Sequence, residues 1–250
     1  MPTSPICVLK IGGSVLTGPQ AYRRVAAFIG ERLCAQPGER IVAVVSAKHG
    51  ATDALLAAAQ DISADPDPGI VDLLWSTGET ESAALLALAL QAHGIRATAA
   101  NVHQTGLIEP DRAGSPGRSA LRPLRLLSLL ARHDVVVAPG FLARGEADRV
   151  VSLGRGGSDL TAVLLASGLG AVRCELVKDV PGYFTGDPKR DPEARPLRHV
   201  SYTRAIEMAD DGCELVQRHA LVTAQDRGVP LVVRALGHER ATVVSSSEPL

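Results

Sequence analysis

The chain has 250 residues, 46% hydrophobic and 21% charged, with a formal net charge of −1, enough for one large domain with a full hydrophobic core. A near-neutral charge argues against the concentrated basic surface that nucleic acid or an anionic membrane requires, although it leaves room for a local phosphate pocket. An aromatic content of 3% argues against base-stacking platforms.

The N-terminal residues reach a strand-like run at 6–11 without the basic-then-apolar layout of a signal peptide. The longest apolar stretch, 83–90, is far short of a membrane span. Cys7, Cys34, Cys174 and Cys213 show no Cys-x-x-Cys spacing, so neither a zinc site nor a disulfide framework is suggested. The expectation is a soluble protein of a reducing cytoplasm.

In chain order, the strand at 6–11 leads to a helix over 21–35, and a strand at 41–46 leads to a helix over 52–62. A long helix over 72–92 precedes a strand at 95–100, and a helix over 121–131 precedes a strand at 135–139. A helix over 159–167 precedes a strand at 174–178, and helices over 202–208 and 214–227 come before a last strand at 231–233. The strands are continuous apolar runs, as expected of strands buried on both faces. The alternation predicts a three-layer α/β/α sandwich around a mainly parallel sheet. Pro/Gly/Asp clusters at 63–69, 109–117 and 186–196 read as loops, because the same alternation resumes after each. The prediction is one domain over 1–250, with lobes meeting near residue 170.

Five segments are candidates for chemistry. Lys10-Ile11-Gly12-Gly13-Ser14 ends the first strand. Two glycines let backbone N–H groups approach an anion, and the lysine adds a point charge for a phosphoryl group; a plain strand-ending turn also uses Gly-Gly. Gly154-Arg155-Gly156-Gly157-Ser158-Asp159 opens a helix. Ser158 as N-cap and Asp159 in the first turn need no ligand to explain them. Arg155 between glycines suits a bidentate grip on a carboxylate or phosphate beside a helix N-terminus.

Ser46 and Thr52, around the glycine turn after the second strand, suit a small polar ligand above the carboxyl edge of the sheet; Thr52 equally suits an N-cap. His49 reads as a solvated loop residue. Glu79 follows a glycine in or at the start of an apolar helix. Solvent exposure and a grip on an ammonium group are both open to it. Finally, Lys178-Asp179 and the turns through Phe184, Asp187 and Lys189 suit a loop wrapped on a nucleotide, or a bare surface loop.

Together and in this order, KIGGS, VVSA with its following TD, STGE, PGF, LGRGGSDLTA and KDVPG with its following DP resemble the catalytic domain of aspartate kinases, within the amino acid kinase superfamily. The resemblance spans residues 8–235. It implies ATP-dependent phosphorylation of a small carboxylate, the side chain of L-aspartate giving 4-aspartyl phosphate. Lys10 is then the catalytic lysine at the transferring phosphoryl group, cradled by Gly12, Gly13 and Ser14, and Asp159 the acid that holds it in position. Ser46, Thr52, Glu79, Arg155 and Ser158 fall in the substrate pocket, the arginine on the substrate carboxylate and the glutamate on its amino group. Lys178, Asp179, Phe184, Asp187 and Lys189 fall in the nucleotide-binding stretch. The first lobe carries the substrate and the second the nucleotide. ATP comes with Mg²⁺ held mostly by phosphate oxygens and water, without a dedicated protein metal site. A homodimer is the assembly the resemblance implies.

Three departures stand out. The family carries a lysine that touches ATP phosphates in a K-V-L-H-P stretch; here the matching stretch reads Glu214-Leu215-Val216-Gln217-Arg218, so Glu214 reverses the charge unless Lys178, Lys189 or Arg218 substitutes. The sequence ends soon after the matching segments, without the ACT repeats typical of aspartate kinases, so feedback control through such repeats is not expected. The segment between Asp53 and Leu74 is short, so the substrate mouth is expected to differ. Two alternatives accompany the leading reading: a divergent kinase acting on another amino acid or carboxylate, and a catalytically weak nucleotide-binding partner subunit.

Overall fold

The computed structural model describes residues 4–109, 119–154, 156–188 and 191–246. The N-terminal half contributes β1 (Ile6–Ile11), α1 (Pro19–Ala35), β2 (Arg40–Val45), α2 (Ala51–Ile62), α3 (Pro68–Ala92), β3 (Ala97–Ala99), α4 (Val102–Thr105) and β4 (Leu107–Ile108). Then come β5 (Ala120–Leu121), α5 (Leu124–Leu130), β6 (Val135–Pro139), β7 (Leu142–Arg144), β8 (Val150–Ser152) and α6 (Gly157–Leu169). The remainder forms β9 (Arg173–Lys178), β10 (His199–Ser201), α7 (Tyr202–Asp210), α8 (Arg218–Arg227), β11 (Leu231–Ala235) and β12 (Ala241–Ser245).

Eight strands form the main sheet in the order β10-β12-β11-β9-β1-β2-β6-β3. Every pairing is parallel except β11–β12. The central strands are largely apolar runs because both faces are covered. One core cluster packs Leu9, Ile11, Ala43 and Val45 beneath α1 and α3. The other packs Val8, Val42, Leu176 and Val233 beneath α6 and α8. The three layers expected from the alternation are therefore present. All the main-sheet strands that follow residue 170 lie on one side of β1, in one half of the sheet.

Local chemistry explains the helix limits. Asp67 caps α3, its carboxylate accepting from the N–H groups of Gly69 and Ile70 at 2.8 and 3.0 Å, and Pro68 supplies the first helical residue. Residues 68–69, read as loop from their turn-forming composition, thus begin a 25-residue helix. Helix α6 is buried on every side over residues 157–166, as a helix enclosed in a core should be.

Several expectations need correction. Helix α6 is capped by Gly156, in the left-handed region at φ 73°, and not by Ser158, which sits inside its first turn. Helix α2 is capped by Gly50 and not by Thr52. The helix expected over 214–227 starts only at Arg218, because 214–216 form a turn and a bend first. A helix over 121–131 divides into the end of β5 and a shorter α5. Strands β5-β4-β7-β8 form a separate four-stranded sheet that the sequence reading lacked. Strands of two or three residues leave too little periodicity to detect.

Candidate active site

The side-chain alternation of parallel strands decides which residues meet. In β1, Val8 and Lys10 point toward the α6 layer, and in β9, Cys174, Leu176 and Lys178 point the same way. The register pairs Lys10 with Leu176, so Lys10 and Lys178 reach the carboxyl edge on adjacent strands. Asp159, in the first turn of α6, rises between them. Lys10 Nζ lies 2.8 Å from Asp159 Oδ1, and Lys178 Nζ lies 2.7 Å from Oδ2. Burial alone would push Asp159 upward; the charges of Lys10 and Lys178 outweigh it and hold the carboxyl down at about 2. Burial, together with the charge of Lys10, brings Lys178 down to about 8 against the pull of Asp159.

The glycine turn sits directly on this cluster. The Gly12 N–H donates to the Val177 carbonyl at 3.0 Å, and Ser14 Oγ donates to Asp179 Oδ1 at 3.3 Å, so the β1 turn is tied to the end of β9. A Cβ at Gly13 would stand 2.8 Å from the Ala47 carbonyl, which excludes any other residue there without backbone movement. A short helical turn over Gly13–Val15 follows, and the leading N–H groups of such a turn lack partners within it. Positive charge and amide donors therefore converge on one spot.

From the opposite layer α3 brings Glu79, 3% exposed, to the same edge. Burial pushes its carboxyl up to about 8, against the Ala47 backbone N–H and the charge of Lys10, which both lower it. Its Oε2 is buried and has no hydrogen-bond partner. Of the two readings open from sequence, solvent exposure is thus ruled out. Ser46 follows β2, half-buried, its N–H donating to the Ile11 carbonyl at 3.2 Å. Thr52 lies in the first turn of α2, and its carbonyl accepts from Trp75 Nε1 at 3.3 Å. Ser158 packs against Gly140, where a Cβ would stand 2.7 Å from the serine Cβ.

Lys10, Gly12, Gly13, Ser14, Asp159, Lys178 and Asp179 thus form one cluster, with Glu79, Ser46 and Ser158 along the same edge. Phe184 lies further out, in an isolated bridge to Pro196, and Asp187 is exposed, its carbonyl accepting from the Asp191 N–H at 2.8 Å. Arg155 and Lys189 fall outside the described residues. A cavity of about 630 Å³ opens beside the cluster, lined by Ser14, Lys178 and Asp179 together with Arg24, Phe28 and His238.

For two contributors the sequence pointed to no role at the site. The Gln217 backbone N–H, 3.4 Å from Asp159 Oδ2, comes from 58 residues away. Thr161 Oγ1 accepts from the Phe141 N–H at 3.0 Å and donates to the Gly157 carbonyl at 2.9 Å. It thereby fixes the loop after β6, where Phe141 takes φ 68°, against the start of α6. Pro139-Gly140-Phe141 was legible as a motif, but the partner of its amide was not.

Chemically, two ammonium groups share one carboxylate at the carboxyl edge of a parallel sheet, and one positive charge is left over for an anion. Known proteins show the same arrangement of chain. The aspartokinase of Geobacillus stearothermophilus is 35% identical over 240 residues, covering 96% of this chain and 58% of its own. The aspartate kinase of Synechocystis superposes with a TM-score of 0.82 at 34% identity, over 96% of this chain and 40% of its own. Aspartokinase III of E. coli, solved with aspartate and ADP, gives 0.83 at 25% identity, over 98% of this chain and 65% of its own. The chain therefore spans little more than half the length of the curated relative. Residues 5–235 match the amino acid kinase family along their whole course, and the chain belongs to that family.

Proposed function

We propose that this protein transfers the terminal phosphoryl group of ATP to a small carboxylate, the side chain of L-aspartate, giving 4-aspartyl phosphate. The observation that carries the reading is the buried Lys10–Asp159–Lys178 cluster with its unspent positive charge. Likeness to aspartokinases along nearly the whole chain supports aspartate as acceptor.

The chemistry asks little of a base, because the acceptor is already an anion at neutral pH. The obstacle is bringing two anions together, so positioning and charge neutralisation dominate. Lys10 neutralises the transferring group, Asp159 fixes its ammonium, and Gly13 and Ser14, in the turn that Gly12 opens, supply amide donors. Glu79, with an unpartnered buried oxygen, takes the substrate ammonium. Arg155 is assigned the substrate carboxylate, with Ser46, Thr52 and Ser158 completing the pocket. Lys178, Asp179, Phe184, Asp187 and Lys189 are assigned to the nucleotide. Among the described residues no group of three or more His, Cys, Asp or Glu is placed to cage a cation. Mg²⁺, which this reading implies, would be held mostly through phosphate oxygens and water, where it offsets phosphate charge.

A second acceptor remains open on one observation: Glu214 reverses the charge at a place where the family carries lysine. A hydroxamate assay with ATP over a panel of amino and dicarboxylic acids separates the readings. Turnover with L-aspartate is expected, and preference for another acid would transfer the assignment to it. Nucleotide binding without turnover on any acid would leave only a binding subunit. Lys10→Ala is expected to reduce turnover by about 10²-fold or more while the melting temperature holds. Near-normal turnover in a stable variant would remove Lys10 from its role.

A further inference from the structure

We infer that Lys178 is the second phosphate-holding cation of this site, delivered by the end of β9 instead of by the segment before α8. The inference rests on the phosphoryl-transfer reading above. It begins with a charge count. Lys10 and Lys178 occupy separate oxygens of the same carboxylate, 2.8 and 2.7 Å away, so Asp159 can neutralise only one of them. A lysine with a purely structural task would be expected to have an acid of its own, since buried charge is costly unless paired. The neighbouring acid, Asp179, directs its Oδ1 to Ser14 Oγ of the β1 turn.

Of the two other substitutes the sequence offered, Lys189 lies outside the described residues and Arg218 is engaged elsewhere. Arg218 is exposed and donates from Nε to Asp210 Oδ1 at 2.7 Å. Glu214 is exposed in the turn before α8. What that segment sends inward is the Gln217 backbone N–H, which approaches the oxygen of Asp159 already held by Lys178. Gly156 makes room for it: a Cβ there would fall 1.8 Å from Gln217 Cγ. That segment thus brings a backbone dipole to Asp159, while the end of β9 brings the second ammonium group. The Lys178 side chain is 12% exposed, and residue 178 is among those that border the cavity beside the glycine turn. It can gain an anionic ligand without leaving Asp159.

Calorimetric titration with Mg²⁺ and the non-hydrolysable analogue AMP-PNP, and separately with adenosine, tests the assignment. Wild-type protein must first bind AMP-PNP; if it does not, the phosphoryl-transfer reading itself fails, whatever Lys178 does. Given that binding, Lys178→Met is expected to weaken AMP-PNP by about tenfold or more, the scale of one lost charge-assisted contact. Adenosine affinity is expected to stay within about twofold, and Lys178→Arg to recover most of the loss. The melting temperature of Lys178→Met is expected to hold or rise, because a surplus buried charge has been removed. AMP-PNP binding unchanged in Lys178→Met would overturn the inference. So would equal losses for AMP-PNP and adenosine with a lowered melting temperature, which would mark a structural lysine.

Discussion

Asp159 and Glu79 show how one edge assigns opposite electrostatic fates to groups from opposite layers. Asp159 is held ionised by two cations, whereas Glu79 has only the Ala47 amide and the more distant Lys10 to set against burial. The groups facing Glu79 are Lys10 from β1, the Ala47 N–H after β2, and Tyr22 from α1. Its carboxyl moves from an ordinary 4.5 to about 8. A raised carboxyl keeps its proton in the folded protein over a range where the unfolded chain releases it. Its contribution to stability is therefore full below the unfolded value and is lost as pH rises through that window. Chemical denaturation at pH 5, 6.5 and 8 should show wild type losing stability relative to Glu79→Gln as pH increases. Parallel profiles for the two proteins would refute the buried, protonated state. An ammonium ligand would stabilise the ionised form, which is the physical sense of an acid left one hydrogen bond short.

At the scale of elements, the site depends on how the loop after β6 is pinned to the start of α6. Phe141 takes a left-handed backbone conformation, uncommon for a bulky residue, and its N–H is satisfied by Thr161 Oγ1. The Phe141 ring stacks edge-on against Trp75 with centroids 5.6 Å apart, and Trp75 Nε1 reaches the first turn of α2. One hydroxyl therefore connects β6, α6, α3 and α2. Thr161→Val keeps the shape but strands a buried N–H, so a loss of about 1–3 kcal/mol is expected in urea unfolding. A loss under about 0.5 kcal/mol would mean that the loop finds another partner. Residue type explained the helix here, since a threonine in an apolar run passes for an ordinary core position. The loop it fastens lies 20 residues earlier, which no local pattern reports.

For the whole molecule, the join between the two halves of the sheet is charged as well as apolar. Beneath α1, Arg32 donates to Glu175 Oε2 from Nη1 at 2.6 Å and to Oε1 from Nη2 at 2.5 Å, and from Nε to Glu39 at 3.3 Å. Arg173 pairs with Glu39, and Arg234 approaches Glu175 at 3.5 Å. Glu39 and Glu175 are both 4% exposed, so the network links α1 and the start of β2 to β9 and β11. Breaking such a network from one side leaves buried carboxylates short of charge. Arg32→Met is expected to cost about 3 kcal/mol of stability, measured by thermal and denaturant unfolding, with little change under added salt. A variant as stable as wild type would show that Arg173 and Arg234 suffice.

The sequence by itself determined the layer order, the central strands, the family, and most of the residues along the carboxyl edge. Those features are written in local runs: apolar strands, glycine turns and the start of an apolar helix. Tertiary structure alone decided that Asp159 is shared by two lysines, that Glu79 is buried, and that Gly156 rather than Ser158 caps α6. It also placed the Gln217 N–H at the site and left Glu214 exposed in the turn before α8. The physical reason is that pairing and burial are properties of distance in space. Strand parity aims Lys10 and Lys178 at α6, but only the parallel register of β1 on β9 sets them on one carboxylate.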